Sequence, residues 1–189
     1  MSGGKVAILS GMKGEAAFEK VLKDAGWSLY TGKKGKFLSK DGKKFDGEKL
    51  PELAPLTYVK AQYYTHPSMR WEFGESNTAE FVLSGGITVQ VKNQNGGGSV
   101  TEKWAYNLLS IAAQKQPTDK LLYAAVGEFG SKNFDKFLRS DIKKYYWLFN
   151  DEVRQRLEGG AFICVYGWDE TIEWVQNYTN EQTKTRRAA

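Results

Sequence analysis

Glu80-Phe-Val-Leu-Ser-Gly-Gly-Ile-Thr-Val-Gln-Val-Lys-Asn-Gln94 divides into two short apolar runs around a Ser-Gly-Gly turn, the pattern of a β-hairpin. Side chains alternate along a strand, so Val89 and Val91 point to one face while Gln90, Lys92 and Gln94 point to the other. Glu80 opens the first strand, where its carboxylate can sit beside Gln90 and Lys92 across the hairpin. An acid, a second oxygen donor and a lysine on adjacent strands suit a hard divalent cation, because magnesium prefers oxygen ligands and keeps several waters. The lysine can hold or polarise an attacking water beside a phosphate. The predicted chemistry is metal-assisted phosphodiester hydrolysis, on an accessible polar face of the hairpin.

This segment resembles the active-site hairpin of the PD-(D/E)XK nuclease superfamily, in which an acid opens one strand and an acidic or Gln residue precedes a lysine by two on the next. Glu80, Gln90 and Lys92 stand at those positions. The continuation GGGSVTEKWAYNLLSIA is similar to the glycine loop and helix that follow the lysine strand in a bacterial and phage branch of the superfamily. The resemblance covers residues 80 to 112 and says little about 28 to 76 or the C-terminal third. It implies an α/β restriction-endonuclease-like fold, a central mixed β-sheet flanked by helices. It also implies Mg2+ as cofactor, with Mn2+ as a substitute, and double-stranded DNA as substrate. In the family a glutamate of the first helix faces the metal, and here Glu15 is the better match, with Glu19 second. Glu80, Gln90 and Glu15 would then be the metal ligands, with Lys92 as the fourth catalytic residue.

Two positions depart from the family pattern. The first acid is Glu80 where Asp is usual, and the middle acid is Gln90. Glutamine offers a neutral carbonyl oxygen, but one fewer negative charge weakens the hold on a cation. A catalytically degenerate DNA-binding protein on the same fold is therefore the alternative, and an interaction module for proteins a third reading.

The chain has 189 residues, 41% hydrophobic and 14% aromatic, enough for one substantial core. The expected organisation is a single domain over residues 1–180, with a basic elaboration at about 28–76, and a mobile basic tail at 181–189. No apolar run approaches the roughly 18 residues that span a bilayer, and no signal-peptide pattern opens the chain. A cytoplasmic protein of bacterial or phage origin, with no membrane partner, is the expectation. Cys164 is the sole cysteine and His66 the sole histidine, which argues against a zinc site. Cys164 reads as a small buried hydrophobe. The net charge is +5, and the first fifty residues hold eleven lysines against six acids, a surplus equal to that of the whole chain. Lys33, Lys34 and Lys36 lie in GKKGKFLSKDGKK, a basic glycine-punctuated segment that reads either as a phosphate-contacting arm or as a solvated loop. Arg70 and Lys103 are further candidates for DNA contact.

Elsewhere the pattern predicts elements more than chemistry. KGEAAFEKVLKDAGW is a helix with Phe18, Val21, Leu22 and Ala25 on one side and Gly26 as its stop; residues 5 to 9 form a short strand or lead into that helix. WSLYTG, KFLSKDGKKF and LTYVKAQYY read as strands. Ser99-Val-Thr-Glu102 is a capping box, so Glu102 is a helix cap before a helix carrying Trp104, Leu108, Ile111 and Ala112. KLLYAAVG reads as a buried strand completing a βαβ crossover. NFDKFLRSDIKKYYWLFNDEVRQRLEGG is largely helical, AFICVYGW a strand, and DETIEWVQNYT a final helix. The sum points to a restriction-type endonuclease, with a homing or junction-cleaving nuclease of the same fold close behind. Two equivalent strands call for two sites, so a homodimer is one expected assembly.

Overall fold

The computed structural model describes residues 3–31, 53–60, 80–93, 120–127 and 149–188. Helix α1 spans Gly3–Asp24, followed by β1 (Ser28–Leu29), β2 (Thr57–Lys60), β3 (Phe81–Leu83), β4 (Ile87–Asn93) and β5 (Lys120–Val126). A short helix α2 (Asp151–Arg156) runs through a wider turn at Leu157–Ala161 into β6 (Phe162–Tyr166), and α3 spans Gly167–Ala188. The six strands form one mixed sheet in the order β1 to β6. β1 and β2 are parallel, β2, β3 and β4 form an antiparallel run, and β4, β5 and β6 are parallel. The architecture is α/β, a mixed sheet with helices on both faces, as the sequence predicts.

The predicted hairpin forms with Leu83 paired to Ile87 and Phe81 to Val89. Gly85 and Gly86 both have positive φ, 83° and 80°, a region open to glycine at little cost. The turn is also wedged against α3, where the Tyr178 hydroxyl donates to the Ser84 carbonyl at 2.8 Å. A Cβ on Gly85 would lie 2.3 Å from that hydroxyl oxygen. Strand β5 pairs with β4 in parallel, Ile87 with Lys120 through Asn93 with Val126. That is the strand relation of a βαβ crossover, whose connecting residues 94–119 lie outside the described residues.

Alternation splits the core in two. Ile87, Val89 and Val91 of β4 and Leu122, Ala124 and Val126 of β5 join Phe18 and Leu22 of α1 and Val175 of α3 in the main cluster. Leu121, Tyr123 and Ala125 turn to the other face and meet Leu157 and Ala161. Burying each large apolar side chain contributes about 1.5–3 kcal/mol, so both faces of β5 are committed to packing. Such double burial is typical of parallel strands covered by helices.

Helix α1 ends in a Schellman arrangement, with Gly26 N–H donating to Lys23 O and Trp27 N–H to Leu22 O, each at 3.0 Å, and Gly26 at φ 88°. It begins at Gly3, which resolves residues 5 to 9 as helix. Asn150 caps α2 by accepting from the Val153 amide at 2.9 Å. Gly160, at φ 84°, closes the wider turn before β6. Cys164 lies half-buried on β6 against the second cluster.

Two expectations need correction. Residues 181–188, expected as a tail, continue α3 as helix to Ala188; the Thr183 hydroxyl donates to Thr179 O at 2.8 Å there. The hairpin face bearing Gln90 is not open to solvent, because Thr88 and Gln90 are buried at 0% and 3% exposure. The predicted strand segment KFLSKDGKKF, the capping box at Ser99 to Glu102, the helix after it and His66 lie outside the described residues.

Helix α1 meets β4 most closely at Gly14, where a Cβ would come 2.6 Å from the Asn93 Cβ. Gly14→Ala should lower stability despite the roughly 1 kcal/mol of helix propensity it gains, because overpacking against a Cβ costs about 1–3 kcal/mol. Gly159→Ala, with nothing within 4 Å of the new methyl, should leave stability unchanged or raise it. Urea unfolding midpoints of the two variants check the contrast.

Candidate active site

Strand β3 stops pairing at Phe81, opposite Val89, while β4 runs on to Asn93. The Val91 amide thus projects past the last paired position, and Glu80 Oε2 accepts its hydrogen bond. A buried N–H without a partner costs as much as a lost hydrogen bond, so this carboxylate has a structural task as well. Its other oxygen, Oε1, accepts from Lys92 Nζ at 2.6 Å. The pair is largely enclosed, with the Glu80 and Lys92 side chains 12% and 23% exposed.

Helix α1 brings two glutamates to the same end of the sheet, one turn apart. Glu15 is half-buried, and its carboxyl is pushed above the ordinary carboxylate range. Burial is the largest cause and the nearby negative charge of Glu80 the next; Lys92 and Lys60 oppose it. Glu19 is 9% exposed and receives three donors. The Tyr58 hydroxyl reaches Oε1 at 2.9 Å, Lys23 reaches Oε1 at 3.1 Å, and Lys60 bonds Oε2. Burial alone raises the Glu19 carboxyl, but the hydrogen bonds from Lys60, Lys23 and Tyr58 outweigh it and hold the group below the usual range. The Tyr58 hydroxyl is pushed well up by burial and by its bond to Glu19.

These contacts distinguish the two glutamates. Glu15 shares its electrostatic environment with Glu80 and Lys92, whereas Glu19 is committed to Tyr58, Lys60 and Lys23. Gln90 sits two residues before Lys92 on β4 and pairs in register with Tyr123, a member of the second cluster. Glu80 and Lys92 are therefore in direct contact, Glu15 lies within reach of both charges, and Gln90 is buried. Lys33, Lys34, Lys36, Arg70 and Lys103 lie outside the described residues.

Lys60 is the member that the sequence did not single out. It ion-pairs with Glu19 and its charge reaches Glu15. Alternation in LTYVKAQYY places Tyr58 and Lys60 on one face, but nothing in that stretch says that the face meets α1.

Among the described residues, no three of His, Cys, Asp and Glu gather in one group. The donor set is two carboxylates, with one amide behind them. It fits magnesium, which binds through one or two carboxylates and keeps the rest of its shell as water; it is a poor match for a cation that demands a full protein cage. No described helix is long and apolar enough to cross a membrane. No protein-family model, curated protein or solved structure matches the chain.

The two glutamates should affect stability with opposite signs. The folded-state pKa of Glu19 is lowered, so its contribution is present above the ordinary carboxylate value of 4.5 and is lost as pH falls through the folded value. The folded-state pKa of Glu15 is raised, so folding is penalised once pH rises from 4.5 through the folded value. At neutral pH, Glu19→Gln should lower the urea midpoint and Glu15→Gln should raise it. Both differences should vanish well below pH 4.5. Unfolding titrations across pH check both signs.

Proposed function

We propose that the chain is a magnesium-dependent DNA endonuclease of restriction type. The observation that carries this reading is the Glu80–Lys92 ion pair at 2.6 Å where β4 runs on past Phe81, with Glu15 within reach of both charges. Buried like charges around a lysine cost stability unless paired, and an arrangement that keeps Glu15 raised beside Glu80 is more economically read as functional. The α1 helix, the β2–β3–β4 run and the parallel β5 also agree with the fold that the hairpin motif implies.

Glu80 and Glu15 would hold the cation, with the Gln90 carbonyl as a third oxygen. When bound, magnesium lowers the cost of forming hydroxide and offsets charge building on the phosphate. The Lys92 ammonium has three donors, with which it can orient a water or bind a non-bridging phosphate oxygen. Lys60, ion-paired with Glu19, would add a positive charge that reaches Glu15 and the anionic substrate. The partial enclosure of Glu80 and Lys92 strengthens each of these interactions relative to bulk water. Basic residues elsewhere, Lys33, Lys34 and Lys36 among them, would supply salt-sensitive phosphate contacts.

A second reading, a DNA-binding protein that no longer cuts, draws on Gln90 and on the Lys92 contact, because a neutral side chain stands at the middle acid position and the neighbouring carboxylate is already engaged.

Incubation of purified protein with supercoiled plasmid and Mg2+ or Mn2+ tests the proposal. Nicking or linearisation is expected, abolished by chelator. Glu80→Ala and Lys92→Ala should each lower the rate by about a hundredfold or more, the loss typical of removing a group that stabilises transition-state charge. Retention of DNA by the parent without cutting, under any divalent cation, would favour the second reading.

Gln90→Glu gives a separate check. It adds a charge at a site 3% exposed, close to Glu80, so melting in chelator should fall by several degrees, the scale set by about 1–3 kcal/mol for an uncompensated polar group. Magnesium or manganese should restore much of that loss through ligand linkage. Equal depression with and without cation would remove position 90 from the metal shell.

A further inference from the structure

We infer that Lys92 is the resident counter-ion of the cation site, and that a divalent cation takes Glu80 by displacing the Lys92 ammonium, which then faces the phosphate. The inference rests on the nuclease reading above. Each oxygen of Glu80 is engaged, Oε2 by the Val91 amide and Oε1 by Lys92 Nζ at 2.6 Å. The backbone amide is fixed by β4 and carries no formal charge, so it can stay. The ammonium cannot stay unchanged. With a metal–oxygen bond of about 2.1 Å on the same carboxylate, the two positive centres would come within about 5 Å of one another.

Exposure decides which partner moves. Glu80 is 12% exposed, carried at the end of a buried strand, whereas Lys92 is 23% exposed on a long flexible stem. The lysine has solvent to turn into and the glutamate does not. Lys60 is not a ready replacement, since it is bonded to Glu19. A cation on Glu80 neutralises the charge that Lys92 offsets in its absence. One residue would then do two things in succession: hold the carboxylate before the cation binds, and meet the phosphate afterwards.

The consequence is a pair of effects with opposite signs. Removing the ammonium should abolish cutting and tighten cation binding. Mn2+ binding to the full chain without DNA is measured by calorimetry for the parent, Glu80→Ala and Lys92→Met. The parent should bind, Glu80→Ala should not, and Lys92→Met, in which no ammonium competes for Glu80, should bind about tenfold tighter, or about 1.4 kcal/mol. In parallel, the Lys92 ammonium of the parent is followed by nitrogen-15 NMR during Mg2+ titration, a measurement that does not depend on a variant folding. Its resonance should shift or disappear by exchange as the cation saturates. Glu80-dependent Mn2+ binding that is unchanged or weaker in Lys92→Met, or an ammonium resonance unmoved at saturation, would overturn the displacement and leave the nuclease reading standing. No Glu80-dependent cation binding in either protein, together with no plasmid nicking, would overturn both.

Discussion

Gly14 and Asn93 meet with no room for a methyl group between them, a Cβ on Gly14 falling 2.6 Å from the Asn93 Cβ. That approach lays α1 along β4 and fixes the helix's rotation. Phe18 and Leu22 then enter the main cluster beside Val89 and Val91. The same rotation turns Glu15 and Glu19 inward, since residues three and four apart share a helix face. The cost of bringing two carboxylates to a buried edge is met differently at each. Glu19 acquires Tyr58, Lys60 and Lys23, while Glu15 is left in the field of Glu80 with lysines only nearby.

A cluster of this kind is weak as a source of stability. Enclosed ion pairs roughly balance desolvation against attraction, and apolar replacements of equal volume often do as well or better. The apolar clusters on the two faces of the sheet already supply a folding drive. The charges at the edge form a distinct set: Glu19 held ionised by its donors, Glu15 pushed toward protonation, and Lys92 bonded to Glu80 at the start of the hairpin. The two carboxylates are pushed in opposite directions by their surroundings, Glu15 mainly by burial and Glu19 by the donors it accepts from.

The hairpin that carries Glu80 and Lys92 is anchored at its far end. Tyr178 stacks between Trp27 and Trp174, at centroid distances of 5.8 and 5.0 Å, and its hydroxyl holds the Ser84 carbonyl. Burial and the Glu181 charge push that hydroxyl's pKa up to about 12, so it stays a donor throughout the physiological range. The Trp27 indole donates to the Thr179 hydroxyl at 2.7 Å, which ties the end of α1 to α3. The same aromatic group therefore locates both the hairpin and the helix that face each other across the site.

Much of the secondary structure was legible because it is written in local pattern. The Ser-Gly-Gly turn, the Gly-Trp stop after α1, the apolar run that became β5 and the Glu80 and Lys92 positions all follow from spacing and turn chemistry. The tail was misjudged because a polar composition does not exclude helix when the preceding turns have already nucleated one. The openness of the Gln90 face was misjudged because alternation names two faces but cannot say that both are covered. Residues 120–126 read as buried, yet nothing local showed that Leu157 and Ala161 would close their second face. The sequence by itself determined the hairpin, the register of its acid and lysine, and the two candidate glutamates one turn apart. Only the tertiary structure decided that Tyr58, Lys60 and Lys23 take up Glu19 while Glu15 stays within reach of the Glu80 charge, and that Lys92 bonds Glu80, because those outcomes depend on contacts between elements far apart in the chain, and periodicity carries no information about which faces meet.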